Sequence, residues 1–292
     1  MDKSSFFSFT FYDLGKLVGA TLLFFLGLIL GVKPAGEPAT MIQVDYFEQE
    51  QNSDHPSANL LPPEGALDQL CSSHSDRCEK IIWSGSFTEK EQLSYVSQYF
   101  EIFDFLDRHL MKGNDIKTIF QTLIINSEKG KRRGGATQKR ITINLDSFSD
   151  ISHFWGVLTH EFGHVVDLGV LKGLSKTQNG NYTEFGKVKF SVDDPSLEYY
   201  RYSRASENIR NAEADKKDFC SGYGMSNPFE DFAECHNLYL NNKLLFRAMA
   251  KEAPIMKNKY NYFANLFNNQ SLQEGNQELW YPSWRPWDTT VI

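Results

Sequence analysis

HFWGVLTHEFGHVVDL, residues 153–168, is the stretch on which the reading of this chain turns. Phe154, Leu158, Phe162 and Val165 recur at helical spacing, which predicts a helix starting near Ser149 to Ser152 and ending at Gly169. On that helix His160 and His164 stand four positions apart and project from one face, with Glu161 at its border. Two imidazoles so placed grip a single metal ion, and the glutamate beside them can deprotonate a water that the metal acidifies. The pattern therefore predicts a zinc site, one Zn2+ per chain, and hydrolytic chemistry.

A third protein ligand has to come from elsewhere. Gly163-His164 is followed by Val-Val-Asp-Leu-Gly-Val, without the extension of an all-histidine site, so a glutamate is expected. Glu230 and Glu234, in FEDFAECH, lie four apart on a helix expected to begin after Asn227-Pro228, the spacing of a ligand and a supporting carboxylate. Glu184, twenty residues after His164, competes, but Gly180, Asn181 and Gly186 surround it. Ligands ride better on rigid elements, which favours Glu230. His236 lies roughly 240° round the helix from Glu230, and His153 sits two turns below His160, so both are expected to be structural. Asp167 fits equally well behind an imidazole or in a solvent-facing last turn.

Outward from the motif, Leu93, Val96, Phe100, Phe103 and Leu110 predict a helix over 89–111, stopped by Gly113. The β-branched runs from Ile116 to Ile125 and from Arg140 to Leu145 read as strands, with the glycine-rich SEKGKRRGGATQK between them as a turn or flap. One helix is expected through FEDFAECHNLYLNNKLLFRAM and another after Pro254. The interval 172–227 has room for a short helix near Ser196 to Asp215, whose Tyr199, Tyr200 and Tyr202 would line subsites or pack a core.

The composition of the 292 residues, 41% hydrophobic and 23% charged, is globular and excludes a wholly disordered, collagenous or polytopic membrane chain. A net charge of −7 without a basic stripe argues against nucleic acid as a partner. Leu17 to Val32 run uncharged between Lys16 and Lys33, as a transmembrane anchor or signal segment would. Ala35 and Ala39 follow, but Lys33 and Glu37 stand two residues before them, where a cleavage signal would want a small residue, so an uncleaved anchor is favoured. Lys3 and Lys16 place its leading end in the cytoplasm and the bulk outside. Four cysteines, an even set, suit an oxidising compartment; local pairing would join Cys71 with Cys78 and Cys220 with Cys235, one of three connectivities. The expected organisation is a cytoplasmic stretch at 1–16, the anchor at 17–32, a proline-rich linker at 33–65, a catalytic domain at 66–270 and a tail at 271–292. That tail, with WYPSWRPW at 280–287, would pack back on the domain or present an aromatic surface.

HEFGHVVD at 160–167 together with GYGMSNPFEDFAECH at 222–236 resembles the catalytic domain of the anthrax lethal factor family of zinc endopeptidases. In that family the HEFGH helix is followed by a Tyr-Gly pair and, seven residues after the tyrosine, by a helix beginning ExFAE; Tyr223 to Glu230 spans seven here. The resemblance implies that His160, His164 and Glu230 bind zinc, that Glu161 is the base, that Tyr223 hydrogen-bonds the developing oxyanion and that Glu234 supports a ligand from behind. The fold expected is α+β, a zincin-like domain whose small mixed sheet packs beside the two active-site helices. The expected activity is that of a membrane-anchored, extracytoplasmic zinc endopeptidase acting on a protein or peptide substrate. An inactive module of the same fold, binding a protein or cell-envelope partner, is the competing reading. Glu161 and Tyr223 beside the ligands speak for the enzyme, because a scaffold has no chemical need of either.

Overall fold

The computed structural model describes residues 65–111, 113–128, 130, 132–148, 150–172, 185, 188–275 and 285–292. The anchor expected at 17–32, the expected linker up to residue 64, Glu184 and residues 276–284 of the tail lie outside the described residues.

Helix α1 (Ala66–Ser73) is tied by the Cys71–Cys78 disulfide to the turn that leads into strand β1 (Ile81–Ser84). Thr88 and Glu91 form a capping box that starts α2 (Glu89–His109): the threonine oxygen accepts from Glu91 N at 3.3 Å, and the glutamate carboxylate takes the Thr88 N–H at 2.8 Å. Strand β2 (Thr122–Asn126) begins later than the β-branched composition predicts. Asp115 accepts from Lys117 N at 2.9 Å and winds Ile116–Ile119 into a helical turn, a local cap outweighing strand propensity. The flap also departs from expectation, since it contributes β3 (Gly134–Ala136), antiparallel to β4 (Arg140–Asn144). The sheet order is β1-β2-β4-β3, with the first three strands parallel and β3 at an edge. Leu123, Ile125, Ile141 and Ile143 alternate along β2 and β4 and are fully buried on one face.

Asp150 caps the HEFGH helix, α3 (Ile151–Val165), accepting from His153 N at 2.9 Å; the chain then continues as a wider π-type coil over Val166–Leu171. Next come α4 (Pro195–Ser203) and a small hairpin, β5 (Arg204–Ser206) with β6 (Ile209–Arg210). Tyr199 and Tyr200 on α4 are fully buried and belong to the core, while Tyr202 bonds Glu198. The single helix expected after Asn227-Pro228 is two, α5 (Pro228–Asn241) and α6 (Lys243–Glu252), broken at Asn242 with φ −142° and ψ 52°. The break is held from outside: Glu274 O accepts from Leu244 N and Leu240 O from Gln273 N, each at 2.8 Å. Helix α7 (Pro254–Leu266) follows its proline.

This is an α+β fold with a small mixed four-stranded sheet. Helix α3 is its axis, packed on β3, β4 and α2 and most extensively on α5. Gly163 makes that last contact close: a Cβ there would lie 2.9 Å from Ala233 Cα and 3.2 Å from His236 Cβ, so the two helices meet backbone to backbone.

Candidate metal centre

The close approach at Gly163 brings the first turn of α5 opposite the middle of α3. Glu230 is in that turn because Asn227 Oδ1 accepts from both Phe229 N and Glu230 N at 3.0 Å, with Pro228 at the first helical position. One oxygen of Glu230, Oε2, lies 3.2 Å from His160 Nε2 and 3.3 Å from His164 Nε2. The three candidate ligand atoms are all within 4.8 Å of one another. Donors on a tetrahedral zinc at its usual bond lengths sit roughly 3.3 Å apart, so the spacing fits such an ion. The side chains of His160, His164 and Glu230 expose only 7%, 12% and 17% of their surface.

Two further carboxylates close the group. Glu161 is buried beneath the edge strand, where a Cβ on Gly134 would meet its carboxylate, and its Oε2 has no hydrogen-bond partner. Glu234 is fully buried; its Oε1 lies 2.9 Å from His160 Nδ1, though off the line of a hydrogen bond, and its Oε2 accepts from Thr289 N at 2.7 Å. Among the described residues no lysine or arginine lies within ion-pair distance of Glu161, Glu230 or Glu234.

The electrostatics follow from that imbalance. Burial opposes a charge on His160, but the Glu230 carboxylate bonded to Nε2 and the Glu234 carboxylate beside Nδ1 overcome it and push its pKa up to about 10. Burial likewise opposes ionisation of Glu230, yet His160 and His164 hold it well below the usual carboxylate range. Burial raises Glu161. The site therefore draws positive charge to one point, a proton or, in competition with it, a metal ion. Two imidazoles and a carboxylate are a donor set of the kind that takes zinc.

Tyr223 opens the single helical turn Tyr223–Met225 between Cys220 and α5; its ring lies 6.2 Å from that of His160 at an interplanar angle of 27°. Burial first, then the Glu230 charge, raise its pKa, so the phenol stays protonated as a donor. The second disulfide, Cys220–Cys235, joins the start of the Tyr223 loop to the middle of α5, and both disulfides follow the local pairing.

His153 and His236 fall outside the ligand group, as expected. His236 is fully buried and donates through Nδ1 to Thr159 O at 3.1 Å, bonding α5 to α3, and burial pushes its pKa down to about 3. His153 Nε2 accepts from Arg133 at 2.8 Å. Asp167 departs from both expected positions: it is fully buried and accepts from Tyr200 Oη at 2.5 Å instead of facing solvent or bonding an imidazole, and burial pushes it up to about 7. Sequence reasoning missed the roles of Gly163 and Thr289. The first carries a weak signal, a small residue between two candidate ligand histidines; the second carries none, being 55 residues from Glu234.

Protein-family models, characterised proteins and solved structures contain no match to this chain, so the functional reading rests on the site itself.

Proposed function

We propose that the chain is a zinc-dependent endopeptidase held at a membrane by residues 17–32, with its domain outside the cytoplasm. One observation carries the reading: two imidazoles and a largely covered carboxylate converge within 4.8 Å, beside the two buried carboxylates of Glu161 and Glu234 and without a lysine or arginine in ion-pair contact among the described residues. Buried negative charge of that density costs several kcal/mol per ion unless a cation is supplied. Two disulfides among the four cysteines support an oxidising compartment.

His160, His164 and Glu230 would hold the ion, with Glu234 behind His160. Bound zinc supplies Lewis acidity, lowering the pKa of water towards neutrality and offsetting charge on the substrate carbonyl. Glu161, raised by burial, takes the proton from the attacking water on its carboxylate and returns it to the leaving amine nitrogen. Tyr223 donates its phenolic proton as a hydrogen bond to the carbonyl oxygen as charge grows there. Edge strand β3 offers main-chain groups along which an extended peptide can pair, above Glu161. No residue needs to become covalently attached to the substrate.

Elemental analysis of the full chain should find one zinc per chain, lost in Glu230→Ala. Glu161→Gln should retain the zinc and cleave peptides about 10²- to 10⁴-fold more slowly. Folded protein that takes up no zinc, or undiminished turnover in Glu161→Gln, would sink the reading.

A further inference from the structure

The last eight residues, 285–292, form a strap across the metal-binding helices. Asp288 caps a single turn at Thr289–Val291, accepting from Thr290 N at 3.0 Å and from the Thr290 hydroxyl at 2.6 Å. That turn packs on both α3 and α5. Gly156 admits it to α3, because a Cβ there would collide with the Thr290 carbonyl. Asn237 on α5 donates to the Thr289 carbonyl at 2.8 Å and hydroxyl at 3.0 Å. Arg133, one residue before β3, pairs with Asp288 at 2.6 Å and bonds the Thr290 hydroxyl at 3.0 Å. Upstream, Pro286 O and Trp287 O accept from Gly222 N at 2.8 Å and Tyr223 N at 2.6 Å. The strap thus spans the sheet edge, both helices and the Tyr223 loop.

Its contact with Glu234 is specific. The Thr289 N–H holds Oε2 at 2.7 Å, and the Thr289 hydroxyl donates to the Glu234 carbonyl at 3.1 Å. With Oε2 committed, the other oxygen is turned to His160 Nδ1 at 2.9 Å, and neither of those two atoms has another partner. A carboxylate this close, even off the line of a hydrogen bond, favours by its charge the tautomer with the proton on Nδ1, which leaves the Nε2 lone pair free for a metal. We propose that Thr289 is a positioning residue of the metal centre: through Glu234 it fixes the tautomer and orientation of His160, so that the carboxy-terminal strap sets metal affinity. The inference rests on the metal-site reading given above.

Thr289 is the first residue of its turn and follows an extended Asp288 with φ −138° and ψ 161°, a setting that admits proline. Thr289→Pro therefore removes the N–H donor and puts the ring carbon in its place, which drives Glu234 Oε2 off its 2.7 Å seat, and Thr289→Val removes the hydroxyl alone. In the full chain, zinc dissociation constants are measured by competition with a chromophoric chelator, and the visible spectrum of the cobalt(II)-loaded protein reports the surroundings of the ion. The valine variant should bind zinc within about threefold of the unchanged chain, whereas the proline variant should bind about 10- to 100-fold more weakly, with an altered cobalt spectrum. Zinc affinity in Thr289→Pro equal to that of the unchanged chain would overturn the proposal. Glu234→Gln gives a second route: with the amide oxygen held by the Thr289 N–H, its NH2 faces Nδ1 and forces the wrong tautomer, so zinc binding weakens in a folded protein. Full affinity in that variant overturns the proposal whether or not the proline variant folds. If the unchanged chain takes up no zinc, the metal reading falls first; if it does and the variants match it, only the role of Thr289 falls.

Discussion

Glu230 and Asp231 are neighbours in the first turn of α5, yet they face opposite kinds of surroundings. Asp231 is buried with its counter-charge built in: Lys259 Nζ, itself fully buried on α7, lies 2.6 and 2.9 Å from its two oxygens, and the Ser203 hydroxyl donates to it at 3.0 Å. The spare ammonium proton goes to Asp218 O at 2.8 Å, and the charge also sits 4.3 Å from the centre of the Phe219 ring. Glu230 has imidazoles in place of a lysine. One carboxylate is closed by the chain's own lysine; the other belongs to a group that could hold a metal ion. The difference separates a structural cluster from a functional one more clearly than burial does, since buried charges are ordinarily paired.

The sharpest test of that contrast sets Lys259→Met against Glu230→Gln. Removing the lysine strands a buried aspartate and should cost about 3–5 kcal/mol in denaturant unfolding, with zinc present or absent. Zinc should stabilise the unchanged chain by about 2.7 kcal/mol when its free concentration is a hundredfold above its dissociation constant, and Glu230→Gln should abolish that increment. Equal responses to zinc in the two variants would erase the distinction.

Gly163→Ala should sharpen it further. The added methyl pushes α3 from α5 at Ala233 and His236, at an overpacking cost of about 1–3 kcal/mol. Zinc affinity should fall with it, while a melt of the metal-free variant shows the Lys259–Asp231 cluster still assembled.

At neutral pH the smallest effect concerns His236, which bonds α5 to α3 through Thr159 O. Its folded pKa of about 3 is below the ordinary histidine value, so its contribution is complete above about pH 6.5 and lost as pH falls towards 3. His236→Leu should flatten the stability curve in that window, followed by circular dichroism during acid titration; an unchanged slope would show that His236 is not buried as a neutral group.

Much of the site was legible because its signals are local. The four-residue interval of His160 and His164, the same interval of Glu230 and Glu234, and the Asn227-Pro228 start each lie within a turn or two of helix. What was not legible depends on distant partners. Lys259 reads as a solvated helix lysine until α7 is placed against α5, 28 residues away in the chain. The glycines of β3 carry no strand signal and pair only because β4 is beside them. Ile116–Ile119 failed for the opposite reason: composition suggested a strand, and one aspartate cap decided otherwise.

Under the proposed peptidase activity, the Cys220–Cys235 bond has a further consequence. It encloses Tyr223, Asn227, Glu230 and Glu234 in one covalent ring. A nick anywhere within that ring, self-inflicted or not, leaves both fragments joined, and Tyr223 and the helix bearing Glu230 stay attached to the same molecule. Such damage would be silent on a non-reducing gel and would appear as two bands only after reduction.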